Sequence, residues 1–150
     1  MVMNYGYARG GDWDAVEAEI RGVCEEAHSA GALVKVIFEN EFLPDDELKI
    51  ELCRICSRAG ADFVKSSTGF GYVPREGGGY ATVGATDHDL RLMRAHAAPE
   101  VGVKASGGIR TFADAQHVVQ LSATRIGTSA TAAIVAGERG ELPAPSSAGY

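Results

Sequence analysis

The sequence predicts an α/β fold on a parallel sheet. Two observations carry this reading: short apolar runs alternate with stretches of helical period, and most runs end in glycine- or serine-rich turns. Strands separated by helices pair in parallel through right-handed crossovers, so each strand and its helix form one repeating unit.

The units follow in order. Met1-Val2-Met3 is a short strand-like run ending in Asn4-Tyr5-Gly6. A helix runs from about Asp12 to about Ser29, with Asp12 as N-cap, Trp13, Val16, Ile20, Val23 and Ala27 on one face, and Gly31 past its end. The second strand is Leu33-Val34-Lys35-Val36-Ile37. Pro44 opens the next helix, Asp45, Asp46 and Glu47 favour its positive end, and Gly60 stops it. The third strand, Asp62 to Ser67, runs into a glycine-rich loop from Tyr72 to Gly84. Thr86 with Asp89 reads as a capping box for a helix through about Ala97. The fourth strand, Val101 to Ser106, ends in Gly107-Gly108, and Thr111 with Asp114 caps the helix after it. Ala123-Thr124-Arg125-Ile126-Gly127 is the fifth strand, followed by a helix from about Ser129 to about Glu138. Residues 1–139 form one domain, and the Pro-containing stretch 140–150 reads as a flexible tail. Five units suit a flavodoxin-like open sheet and are too few to close an eight-stranded barrel.

Composition narrows the function. The 150 residues are 45% hydrophobic, enough for a globular core, and no apolar run approaches the roughly 20 residues of a membrane span. No basic region precedes an apolar stretch at the N-terminus, so no signal peptide is visible. A net charge of −6 argues against general nucleic-acid binding and fits a cytoplasmic enzyme. Cys53-Arg54-Ile55-Cys56 has C-x-x-C spacing but falls inside a helix, with Leu48, Leu52, Ile55 and Ala59 on one face, so core packing is expected of it. The histidines lack metal-ligand spacing, and no metal or cofactor is expected.

Three lysines, Lys35, Lys65 and Lys104, sit in the middle of strand runs. A buried charge is expensive, and burial beside a second cation lowers a lysine pKa. Such an amine is nucleophilic at neutral pH, as Schiff-base chemistry requires. If the Lys65 and Lys104 strands are neighbours in similar register, Lys65 is the adding amine and Lys104 the cation that keeps it unprotonated. Ser66-Ser67-Thr68-Gly69, Gly107-Gly108-Ile109-Arg110 and Gly127-Thr128-Ser129 all follow strand ends, where backbone amides and small hydroxyls suit a phosphate.

Phe63-Val64-Lys65-Ser66-Ser67-Thr68-Gly69-Phe70-Gly71, Gly84-Ala85-Thr86 and Val101 to Thr111 together resemble the deoxyribose-phosphate aldolases. Leu33 to Glu39, Arg125 to Ser129, and Met1 to Gly6 with Gly10 to Ile20 extend the resemblance over nearly the whole chain. It implies a (β/α)8 TIM barrel, of which this chain supplies about the last five units. It also implies a class I aldolase that reversibly cleaves 2-deoxy-D-ribose 5-phosphate to D-glyceraldehyde 3-phosphate and acetaldehyde, without a cofactor. Carried over by motif, Lys65 is the Schiff-base lysine and Lys104 the lysine that perturbs it. Lys35, Ser67, Thr68, Gly69, Gly107, Gly108, Arg110, Gly127 and Ser129 surround the phosphorylated sugar.

The chain departs from the family in four places. Aligned on these motifs, the family's proton-relay aspartate falls just before Met1, and three barrel strands lie upstream. Ala130 replaces a small hydroxyl residue, and the Tyr72–Gly84 loop is longer than in many members; Tyr150, by contrast, stands where some members place a terminal tyrosine. The competing expectation is a non-catalytic sugar-phosphate-binding half-barrel, or a subunit completed by a second chain or segment. The chain alone is expected to self-associate through its sheet edges as a homo-oligomer or to rearrange toward a flavodoxin-like sheet.

Overall fold

A computed structural model describes residues 1–141. The expected loose tail and Tyr150 lie outside the described residues, apart from Gly140 and Glu141. Helices α1 (Tyr5–Gly10) and α2 (Trp13–Ser29) precede strand β1 (Lys35–Ile37), a 3-10 turn (Asn40–Phe42) and α3 (Asp46–Ala59). Strand β2 (Phe63–Lys65) leads to a hairpin of β3 (Val73–Pro74) and β4 (Tyr80–Ala81). The chain continues through α4 (Asp87–His96), β5 (Gly102–Ser106), α5 (Phe112–Gln120), β6 (Arg125–Gly127) and α6 (Thr131–Glu138).

Local signals placed most of these elements. Asp12 accepts the Ala15 amide, Gly60 ends α3 in the left-handed region, and Thr111 with Asp114 closes a full capping box. Thr86 accepts the Asp89 amide and caps α4 from its own side chain. Helix α1 was not expected: Gly6 and Gly10 weaken it, and Asn4 supports it by accepting two backbone amides. The turn also shortens the expected first strand. Val2 makes a single parallel bridge to Ile37 before the chain swings into α1.

Strand order decides the architecture. The sheet runs β1-β2-β5-β6, all parallel, and Val2 joins on the outer side of β1. A flavodoxin-like sheet would insert the first strand between the next two, so sequential order overturns that alternative. The fold is a partial (β/α) barrel.

The helices form one layer, α2 on α3, α3 on α4 and α5 on α6. They cover the face that carries Val36, Val64 and Val103, all fully buried. Cys24, Cys53 and Cys56 lie in this core as free thiols, and burial pushes Cys53 up to about 12 and Cys56 well above the usual range. Lys49 Nζ stands 2.7 Å from the Asp89 carboxylate and joins α3 to α4. It also reaches Asp46 at 3.4 Å, so a cation already occupies the one Asp/His grouping among the described residues, Asp46, His88 and Asp89, that could otherwise attract a metal. Among the described residues no helix is long and apolar enough to cross a membrane.

Candidate active site

Register places the lysines. Lys65 is the direct partner of Lys104, Ile37 of Lys65, and Lys104 of Arg125. Side chains alternate across a strand, so Ile37, Lys65, Lys104 and Arg125 form one rank on the face opposite the helices. Lys35, Phe63 and Gly102 form the rank beside it. Gly102 is glycine for space: a Cβ there would stand 2.5 Å from the Phe63 ring. The ring occupies that gap, and the Arg125 guanidinium sits 4.4 Å from its centroid.

The three lysines line one cavity of about 300 Å³, with Ile37 and Leu33 among its apolar walls. Burial holds the Lys65 amine below the usual lysine range, and the Lys104 and Lys35 cations push it the same way; Glu39 and Glu41 oppose them.

A second cavity, of about 520 Å³, gathers Thr68, Gly69, Gly107, Gly108, Arg110, Gly127 and Ser129, with Ser106, Thr82 and Thr128. Gly107 and Gly108 both take positive φ, which opens the turn after β5. Thr128 ties the two loops together, its hydroxyl donating to the Ile109 carbonyl at 2.6 Å and accepting from the Ala130 amide. Backbone amides, hydroxyls and one guanidinium make this cavity suitable for a phosphate. Ser67 is the exception among the expected contacts. It is buried and turned away from the cavity, its hydroxyl 2.8 Å from Glu39 and 2.7 Å from Glu41.

Three features escaped sequence reasoning. Glu39 and Glu41 follow β1 as ordinary acids in a turn, and nothing in the sequence says that they meet Ser67. Residues 73–81 form a hairpin where a plain loop was expected; Gly77, Gly78 and Gly79 all take positive φ and turn two-residue strands too short to show a period. The hairpin's return leg brings Thr82 to the phosphate-type cavity.

No family model matches the chain. Over 139 residues it is 48% identical to the deoxyribose-phosphate aldolase of Thermococcus gammatolerans, covering 93% of this chain and 57% of that protein. The chain is similar to the deoxyribose-phosphate aldolases along nearly its whole length. A crystal structure from Coccidioides immitis assigned to this activity superposes with a TM-score of 0.80 at 38% identity, over 93% of this chain and 51% of that one. The tetrameric deoxyribose-phosphate aldolase of Aeropyrum pernix gives 0.71 at 38% identity, over 84% and 50%. The chain thus spans little more than half the length of the deoxyribose-phosphate aldolases it matches, and that span holds both cavities.

Proposed function

We propose that this chain carries the Schiff-base and phosphate-binding portion of a deoxyribose-phosphate aldolase. The supporting observation is the direct pairing of Lys65 with Lys104 on the open face of the sheet. The neutral Lys65 amine adds to the C1 aldehyde of open-chain 2-deoxyribose 5-phosphate, and loss of water leaves an iminium. The C2–C3 bond then breaks, its electron pair moving into the iminium, while the C3 hydroxyl gives up its proton and becomes the aldehyde of glyceraldehyde 3-phosphate. The enamine left on Lys65 takes a proton at C2, and water releases acetaldehyde and the free amine.

Lys104 keeps Lys65 unprotonated, and Lys35 lines the pocket beside it. Thr68, Gly69, Gly107, Gly108, Arg110, Gly127 and Ser129 receive the phosphate. Ser67 acts from behind, holding the Thr68-Gly69 turn, since its hydroxyl accepts the Gly69 amide at 2.9 Å. The working form is a homo-oligomer or an assembly in which further strands complete the barrel.

Borohydride reduction in the presence of acetaldehyde, followed by peptide mass analysis, tests this reading. The expected result is one reduced adduct, on Lys65, lost in Lys65→Leu. A folded protein that binds deoxyribose 5-phosphate without any adduct would replace it with the sugar-phosphate-binding half-barrel.

A further inference from the structure

We propose that Glu39 is a positioning residue for the phosphate-type cavity, its carboxylate clamping the Thr68-Gly69-Phe70 turn that forms one wall of it. The inference rests on the reading of that cavity as the phosphate site. The turn follows the Lys65 strand directly, and Thr68, Gly69 and Phe70 all line the cavity. Two residues beyond the register pair of Ile37 with Lys65, Glu39 lies alongside Ser67. The Thr68 amide donates to Glu39 Oε1 at 2.9 Å, and the Thr68 hydroxyl donates to Oε2. The Ser67 hydroxyl stands 2.8 Å from Oε1. Each hydroxyl in turn accepts a following amide: Ser67 takes that of Gly69 at 2.9 Å, and Thr68 that of Phe70 at 3.1 Å. One carboxylate therefore fixes three successive amides of the turn, directly or through a hydroxyl that contacts it.

Backbone, space and charge are all arranged for this contact. Glu39 is buried and holds φ at 47°, a left-handed conformation that is costly for a residue with a side chain. Gly71 leaves room for the carboxylate, since a Cβ there would stand 3.0 Å from Oε1. Burial pushes the Glu39 carboxyl up, but the hydrogen bonds from Thr68 and Ser67 outweigh it and hold the group below the usual carboxylate range. A carboxylate accepts several donors at once and donates none, which suits a turn whose donors point inward. Its charge alone works against the site. A negative group behind the wall repels a phosphate, and the same charge opposes the Lys104 and Lys35 cations at the Lys65 amine. What Glu39 contributes is the shape of the wall.

The test is isothermal titration calorimetry of the full chain with inorganic phosphate, read beside capture of acetaldehyde by Lys65, a reaction that involves no phosphate. Glu39→Ala is expected to weaken phosphate about tenfold, by loosening a wall that is preorganised in wild type. Capture is expected not to fall, because the lost charge favoured the Lys65 ammonium. Glu39→Gln keeps an acceptor oxygen for the Thr68 amide and is expected to weaken phosphate only about threefold. Gly71→Ala crowds the carboxylate from outside the cavity and is expected to weaken phosphate as well, which keeps the test open should Glu39→Ala not fold. Loss of charge alone would tighten phosphate in both Glu39 variants, and that result, or an unchanged affinity, would overturn the proposal. A parallel fall of phosphate binding and capture would mean a merely structural role and would overturn it too, as would a wild type that binds no phosphate. A wild type that binds phosphate but forms no adduct would sink the aldolase reading alone, and the phosphate comparison among the variants would still decide the role of Glu39.

Discussion

The two faces of the one sheet are built on opposite terms. In strands β1, β2 and β5 the central valines, Val36, Val64 and Val103, pair in register, are fully buried under the helices and form the floor of the core. One residue away, Lys65 and Lys104 pair in register on the other face, half-buried and facing a cavity. The alternation of a strand is enough to keep the apolar core on one face and the lysines on the other. The lysine face is tolerable because the valine face and the helix layer hold the strands in place without its help.

Exchanging the faces gives the largest effect. Val64→Lys adds a second charge one place along β2 from Lys65, in the packed core. It is expected to cost about 4 kcal/mol or more and to abolish cooperative unfolding, monitored by urea denaturation and circular dichroism. Gly102→Ala breaks the lysine side more gently, by pushing on the Phe63 ring and the Thr124 hydroxyl. About 2 kcal/mol of stability loss is expected, with Arg125 displaced from its place over the ring. A full-strength native melt in Val64→Lys, or no loss in Gly102→Ala, would dissolve the contrast between the faces.

The smallest effect is a pH slope. Folding lowers the Lys65 pKa, so between that lowered value and the ordinary lysine value of about 10.4 the unfolded chain binds more protons than the folded one. The Lys65 contribution to stability is therefore least favourable at lower pH, where the folded amine must be protonated, and it rises with pH through that window. Lys65→Met removes this slope and is expected to raise Tm by about 2 °C at neutral pH. A Tm that falls in Lys65→Met would show that the ammonium is stabilised rather than tolerated.

Much of this was legible in the sequence because it is local. A lysine in the middle of an apolar strand is visible without a structure, and so are Asp12, Thr86 and Thr111 as helix caps. The glycines after β5 announced their turn. Strand order was not legible, since five alternating units suit a flavodoxin-like sheet as well as a barrel segment. Only the pairing of β1 with β2, and of Val2 with the far side of β1, separates them. The acids were invisible for the same reason: Glu41 acquires its meaning from Ser67 and Gly84, which approach it only through tertiary packing. Helix α1 escaped because its glycines hide a helix that one asparagine cap supports.

Burial and the Lys104 cation together hold the Lys65 amine below the usual lysine range. The measurement is the pH dependence of Lys65 acetylation in wild type and in Lys104→Leu. The account predicts a wild-type midpoint below that of an ordinary lysine, moving up toward it when the neighbouring cation is removed. A wild-type midpoint at the ordinary lysine value, or one that does not move in Lys104→Leu, would contradict it.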